Sequence, residues 1–290
     1  MFSKGREPVS ALLLLFPMLV LLGGFIFLPL GQVFVWSLFQ QEVFGGPQRF
    51  IGLANFAEMG SDRVFWQALV NNMIFAVLSI VLQVGMGLVL AALLDHGVRR
   101  FRVVYRTIIF APIVVSTAAI GLLWGLMLDP NIGPITDWMS LFGVPMPRNG
   151  ILGEPDLALV GTIFVGAWQY TGFMMVILLA GMQSIPEELY EAARMDGCKG
   201  IRAFINITLP SIRNVIVTCV LLTVIGAFKV FDLVYVLTNG GPGTATEVLA
   251  SYIFRNAFEF SNIGYANAMS VVFLGIALIF GVIQHRMIRK

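Results

Sequence analysis

Apolar residues in this chain come in long blocks. Leu12 to Trp36, Leu69 to Leu94, Thr107 to Leu128, Leu157 to Gly181, Asn214 to Leu237 and Ala266 to His285 are almost free of charge, and polar segments separate them. A helix rises ~1.5 Å per residue and the hydrocarbon layer of a membrane is ~30 Å thick, so about 20 apolar residues cross it. Each block meets that length, and the pattern predicts an all-α integral membrane protein with six transmembrane helices. Pro29 and Pro112 fall inside blocks, where a kink is tolerated if neighbouring helices satisfy the freed backbone groups. Lys4 and Arg6 before the first block imitate a secretory leader. The block is too long for a leader core and ends in no small-residue cleavage pattern, so it reads as a retained span. The expected division is a cytoplasmic N-terminal segment, 1–11, and a transmembrane domain, 12–290, with a large polar loop at 183–213.

Composition agrees with lipid as the main solvent: 58% of residues are hydrophobic and 12% charged, with a mean hydropathy of +0.88, far from soluble proteins. A net charge of +2 gives no reason to expect a nucleic-acid partner, and where the charges lie says more. Thirteen of the 18 Lys and Arg fall in the N-terminal segment (Lys4, Arg6), the second loop (Arg99, Arg100, Arg102, Arg106), the fourth loop (Arg194, Lys199, Arg202, Arg213) and the C-terminus (Arg286, Arg289, Lys290). Positive charge marks the cytoplasmic side, which predicts both termini inside. Cys198 and Cys219 form no disulfide framework, and His96 and His285 read as solvated helix ends. No phosphate-binding Gly-rich loop, zinc-protease helix or nucleophile elbow occurs, so the chain is not expected to be an enzyme or to bind a cofactor.

The fourth loop reads as helix, turn, helix. Ser184 and Glu187 have capping-box spacing, Pro186 suits a first turn, Gly197 can take the left-handed conformation that ends a helix, and Pro210 is expected to stop the second piece. Ile185, Leu189, Ala192 and Ala193 share one face, with Glu187, Glu188, Glu191 and Arg194 elsewhere. This amphipathic helix could lie on lipid or dock on a protein. Its acidic polar face argues against anionic lipid, and small side chains permit close approach by a partner.

The stretch Glu191-Ala192-Ala193, three residues, Gly197 preceded by Asp196, nine residues, then Ile207-Thr208-Leu209-Pro210 resembles the EAA signature of ABC importer permeases at every defined position. Ser184-Ile185-Pro186 and the segment from Val236 to Pro242 resemble the maltose-type carbohydrate branch. The resemblance implies a type I importer permease fold and a coupling helix that docks on a separate ATPase. It also implies a second homologous permease, two ATP-binding subunits, identical or not, with ATP and Mg2+ held there, and an extracytoplasmic solute-binding protein. The solute would be a sugar, moved by alternating access across a bacterial plasma membrane.

Candidate solute contacts are Trp168, Gln169, Tyr170 and Phe173 in the fourth block and Phe228, Lys229, Asp232 and Tyr235 in the fifth. Aromatic faces and hydrogen-bonding groups suit a sugar. Lys229 lies ~12 Å inside the block at ~1.5 Å per residue, so its charge needs water, a partner or a cavity. Asp232, three residues on, could neutralise it as an ion pair, or both could line the solute path. In the family this region contributes to the solute site, usually with uncharged polar groups, so Lys229 leaves an acidic sugar open. Asn239, Gly240, Gly241 and Pro242 form an external turn expected to meet the binding protein. Two other classes remain open: an ion-driven carrier, disfavoured because only Lys229 and Asp232 are intramembrane ionisable groups, and a scaffold that merely recruits a cytoplasmic partner.

Overall fold

The computed structural model describes residues 7–41, 46–96, 101–143 and 145–288. Lys4, Arg6, Arg99, Arg100, Arg289 and Lys290 lie outside the described residues, as do the side chains of His96, His285 and Arg286. Among the described residues, four helices are long and apolar enough to cross a membrane: Leu14–Trp36, Arg63–Asp95, Pro155–Gln183 and Ile263–Val282. Two bent pairs, Arg102–Val114 with Thr117–Met127 and Ile201–Ser211 with Arg213–Lys229, raise the number to six if each pair is one span.

The third and fifth blocks depart from the straight spans expected from hydropathy. In the third block the chain turns by 99°. Pro112 sits in a 3-10 turn, Ala111–Val114, Val115 is extended, and Ser116 starts a new helix with its hydroxyl accepting from the Ala119 N–H at 3.3 Å. What the sequence presents as a proline kink is thus a helix end followed by an N-cap, which relieves orphan N–H groups at the restart. In the fifth block the helix Arg213–Lys229 stops at extended Val230, and a short helix, Asp232–Leu237, follows. Pro210 does not stop its segment either: the helix runs to Ser211, and the 70° bend falls at Ile212.

The chain forms two compact units. The first, Met1–Asp62 with Ile253–Ile276, contains the two-residue strands Phe39–Gln40 and Arg49–Phe50, paired antiparallel. Asn55 donates to the carbonyls of Ser37 (2.8 Å) and Phe39 (3.1 Å), and the Tyr265 hydroxyl donates to Asp62 at 2.6 Å. Leu14, Phe16 and Phe25 of its first helix are exposed, as befits a surface whose solvent is lipid or another apolar chain.

The second unit, Arg63–Tyr252 with Ala277–Lys290, is organised around Pro155–Gln183. One apolar cluster gathers Phe75, Trp124, Ile163, Leu233 and Val234 about the helix's first half, and another gathers Ala91, Met175, Leu178, Met182 and Ile212 about its second. Glycine permits two close crossings. A Cβ at Gly87 would stand 3.1 Å from Met174 Cβ, and one at Gly172 would collide with the Ile109 carbonyl. With little hydrophobic drive between helices in lipid, such small-residue contacts carry much of the packing.

Candidate functional site

A cavity of about 480 Å3 opens beside the break in the fifth block. Gly166, Tyr170 and Phe173 on Pro155–Gln183 follow one helical face, and Thr117 from the restarted third helix, Gln83, Thr223, Lys229, Phe231 and Asp232 complete its polar and aromatic lining. The bend in the third block and the break after Lys229 create this wall. Restarting at Thr117 brings the Thr117 hydroxyl to 3.3 Å from the Tyr170 hydroxyl, and stopping at Lys229 exposes the residues on either side of Val230.

Lys229 and Asp232 do not share a helical face, because the helix ends between them. The ion pair considered from their spacing is not formed: among the described residues neither makes an ion pair or a side-chain hydrogen bond, and both are exposed and line the cavity. Four of the other candidates are placed elsewhere. Gln169 is buried and donates to the Val115 carbonyl at 3.1 Å, pairing a group that the bend had freed. Trp168 packs edge-on against Trp124 at 5.3 Å and lines a separate apolar pocket. Phe228 is buried against Phe280 at 5.0 Å. Tyr235 stacks on Phe231 at 5.3 Å, and it is Phe231 that reaches the cavity. Gln83, Thr117, Thr223 and Phe231 were not singled out from the sequence. The first three are polar residues within apolar blocks, Gln83 and Thr223 singly and Thr117 beside Ser116, and that signal could have marked them.

At the other end of Pro155–Gln183 lies the EAA segment. Its helix spans Glu187–Met195 with Pro186 as N-cap. The expected capping box is absent: the Ser184 hydroxyl donates backward to the Gly181 carbonyl at 2.8 Å, closing the preceding helix instead. Gly197 has φ +74°, with the Cys198 N–H on the Ala193 carbonyl at 2.8 Å and its own N–H on Arg194 at 3.2 Å, a Schellman C-cap. Ala193 is buried, whereas Glu191, Ala192 and Asp196 are exposed. Ile207 and Leu209 are half-buried and Pro210 is exposed. The Tyr190 and Thr208 hydroxyls lie 2.8 Å apart and hold the two helices together. Leu189, Met195 and Ile201 are exposed as well, an apolar face left uncovered among the described residues. An adjoining cleft of about 750 Å3 contains the Asp95–Arg102 ion pair, 2.6 Å long.

The turn after the fifth block is tightly built. Asn239, Gly240 and Gly243 have positive φ, and the Gly241–Pro242 peptide is cis. The Thr246 hydroxyl donates to the Gly241 carbonyl at 2.8 Å, and Gly240 is buried against the Glu247 carboxyl, which leaves no room there for a Cβ. Asn239 is exposed and Gly241 and Pro242 are half-buried.

Residues 83–290 match the family described as binding-protein-dependent transport system inner membrane component. The chain belongs to this family. The permease is 40% identical over 280 residues to the probable ABC transporter permease protein YurN of Bacillus subtilis, covering 96% of each chain. It is 34% identical to the trehalose/maltose transport system permease protein MalF of Thermococcus litoralis, over 97% of this chain and 94% of that one. Its fold matches, at a TM-score of 0.83 and 24% identity, a chain of a bacterial ABC transporter involved in the import of the acidic polysaccharide alginate, covering 99% of the permease and 96% of that chain. The permease is therefore a multi-pass membrane protein and a transport subunit of sugar-type ABC importers.

A substitution tests the EAA segment's geometry within the permease. Nothing stands within 4 Å of a Cβ built at Gly197, so Gly197→Val acts through the backbone alone. A β-branched residue at positive φ costs roughly 1–2 kcal/mol, and the Schellman bonds should break. ATP-dependent uptake is expected to fall roughly 5- to 30-fold at that cost with membrane insertion unchanged, as read by transport in vesicles and by immunoblot of the membrane fraction.

Proposed function

We propose that the permease is one half of a heterodimeric pore in a bacterial plasma membrane, importing a sugar delivered by an extracytoplasmic binding protein. In this reading it has six spans with both termini in the cytoplasm, residues 12–290 form the transmembrane domain, and 183–213 form the coupling loop. Two ATP-binding subunits, with ATP and Mg2+ bound there, dock on the exposed face of Leu189, Ala192 and Met195, with Glu191 and Asp196 at its rim. Ile207, Leu209 and Pro210 set the following helix against it.

One observation carries this reading: a single helix, Pro155–Gln183, contributes the wall of a polar cavity at Tyr170 and Phe173 and leads directly into the EAA segment. Movement imposed on the segment by ATPase closure would be transmitted along a buried, well-packed rod to the cavity. A sugar fits a site that combines aromatic faces with hydroxyl, amide and charged groups, and the trehalose/maltose relative is consistent with that class. Alternating access then needs the cavity to open to either side in turn.

A second reading of the solute has its own observation. Lys229 lines the cavity with no partner among the described residues, which suits a sugar bearing a carboxylate, phosphate or sulfate. Asp232 in the same wall would then hold hydroxyl groups of the solute.

Proteoliposomes holding the whole complex test the proposal. Uptake that requires ATP on the ATPase side and the binding protein on the other supports the importer. Uptake driven by a proton gradient alone would support an ion-coupled carrier, and absence of uptake a scaffold. A panel of neutral and acidic oligosaccharides, each with its binding protein, decides the solute class.

A further inference from the structure

Asn72 is a buried amide of the second unit whose one side chain joins three separate elements. It lies in Arg63–Asp95 and is fully buried. Its Nδ2 donates to the Ala227 carbonyl at 2.9 Å, and its Oδ1 accepts from the Leu249 N–H at 2.9 Å. Ala227 is two residues before the end of the Arg213–Lys229 helix, and Leu249 opens the helix Leu249–Phe254 that follows the external turn. In an unbroken helix the Ala227 carbonyl would accept from the Phe231 N–H, four residues on. The helix stops before that bond can form, and a helix end buried without replacement partners is costly. Asn72 supplies the replacement.

We propose that Asn72 is a positioning residue that holds open the break at Val230–Phe231 and ties it to the external loop, so that engagement of the loop acts directly on the cavity wall. The inference rests on the importer reading. If the break closed into continuous helix, Lys229 and Asp232 would fall at i, i+3, where opposite charges pair, and neither would be presented to a solute. Asn72 keeps the carbonyl occupied and the two charges apart. Its neighbour Asn71 differs in what it holds: Nδ2 donates to the carbonyls of Ala245 (3.0 Å) and Glu247 (2.8 Å), both within the loop. Asn71 therefore fastens the loop to the second block, and Asn72 fastens the loop to the cavity.

The test uses the complete complex in proteoliposomes, measuring ATPase activity with and without the binding protein loaded with its sugar. Asn72→Leu and Asn72→Thr are expected to assemble with normal basal ATPase activity and lose about tenfold of the stimulated rate. The binding-protein concentration for half-stimulation should stay the same, because Asn71 still fastens the loop. Asn71→Leu is expected to show the reverse split, a raised half-stimulating concentration with a near-normal maximal rate. A wild-type stimulated rate in both Asn72 variants overturns the inference, and so does a shift in half-stimulating concentration alone. Failure of both to assemble would assign Asn72 to folding and overturn it equally. The wild-type complex separates the two levels: without any stimulation there, the importer reading falls and takes this inference with it.

Discussion

Gly172→Val should leave almost no assembled permease in the membrane. A Cβ at this position would collide with the Ile109 carbonyl oxygen and stand 2.7 Å from its carbon and 2.9 Å from Phe110 Cα. All three are backbone atoms, so no rotamer change relieves the contact. The helix Pro155–Gln183 must move away from the Arg102–Val114 segment, which disturbs the Gln169–Val115 hydrogen bond three residues along and the wall that carries Tyr170. Overpacking of this kind costs typically 1–3 kcal/mol and sometimes more, and here about 3 kcal/mol or above is expected because backbone must shift. Copurification of the variant with its partner subunits, and its thermal inactivation in detergent, are the measurements. Gly226→Ala serves as a control, since a Cβ there meets nothing within 4 Å; it should assemble normally.

The second large effect is expected at the cavity. Lys229→Ala and Asp232→Ala should each lower uptake at limiting sugar, with assembly and basal ATPase activity retained. A hydrogen bond to a charged group contributes about 1.5–3 kcal/mol, which is roughly 10- to 100-fold in uptake. The structure distinguishes this from an internal ion pair. A pair would leave one unpartnered charge in each single variant and recover when both were removed together. Because Lys229 and Asp232 are not paired, the double variant should transport no better than the worse single one. Recovery of uptake in the double variant would return both residues to a purely structural role.

Much of the architecture was legible in hydropathy because a segment in lipid must satisfy its own backbone, so long uncharged runs have few alternatives to helix. The helices Leu14–Trp36, Arg63–Asp95, Pro155–Gln183 and Ile263–Val282 fall where the blocks predicted them. The bends did not follow from the same signal. An apolar run reports which solvent it faces, and Val115 and Val230 are themselves ordinary apolar members of their runs. At each break a distant side chain pairs the backbone it frees: Gln169 pairs Val115 across 54 residues, and Asn72 pairs Ala227 across 155.

The candidate site divided in the same way. Tyr170 and Phe173 share a helical face that spacing can reveal, but Gln169 and Trp168, adjacent in sequence, point to the bend and to another pocket. Phe228 precedes Lys229 by one residue and is buried on Phe280, so aromatic content near a polar residue did not say which ring faces the cavity. Ser184 had two carbonyl and N–H environments within reach, and the end of Pro155–Gln183 took its hydroxyl. Sequence spacing lists such partners without ranking them.

What the sequence by itself determined is local or solvent-driven: apolar blocks of spanning length, the EAA pattern from Glu191 to Pro210, and a glycine at 197 where positive φ closes a helix. These depend on a few neighbouring residues or on transfer into lipid, and each is written contiguously along the chain. Only the tertiary structure decided where the fifth block breaks, that Lys229 and Asp232 stand apart and line one cavity, and that Asn71 and Asn72 hold the loop that follows the fifth block. Those outcomes turn on hydrogen bonds and close crossings between residues far apart in the chain, and the energy of such contacts exists only once the helices have packed.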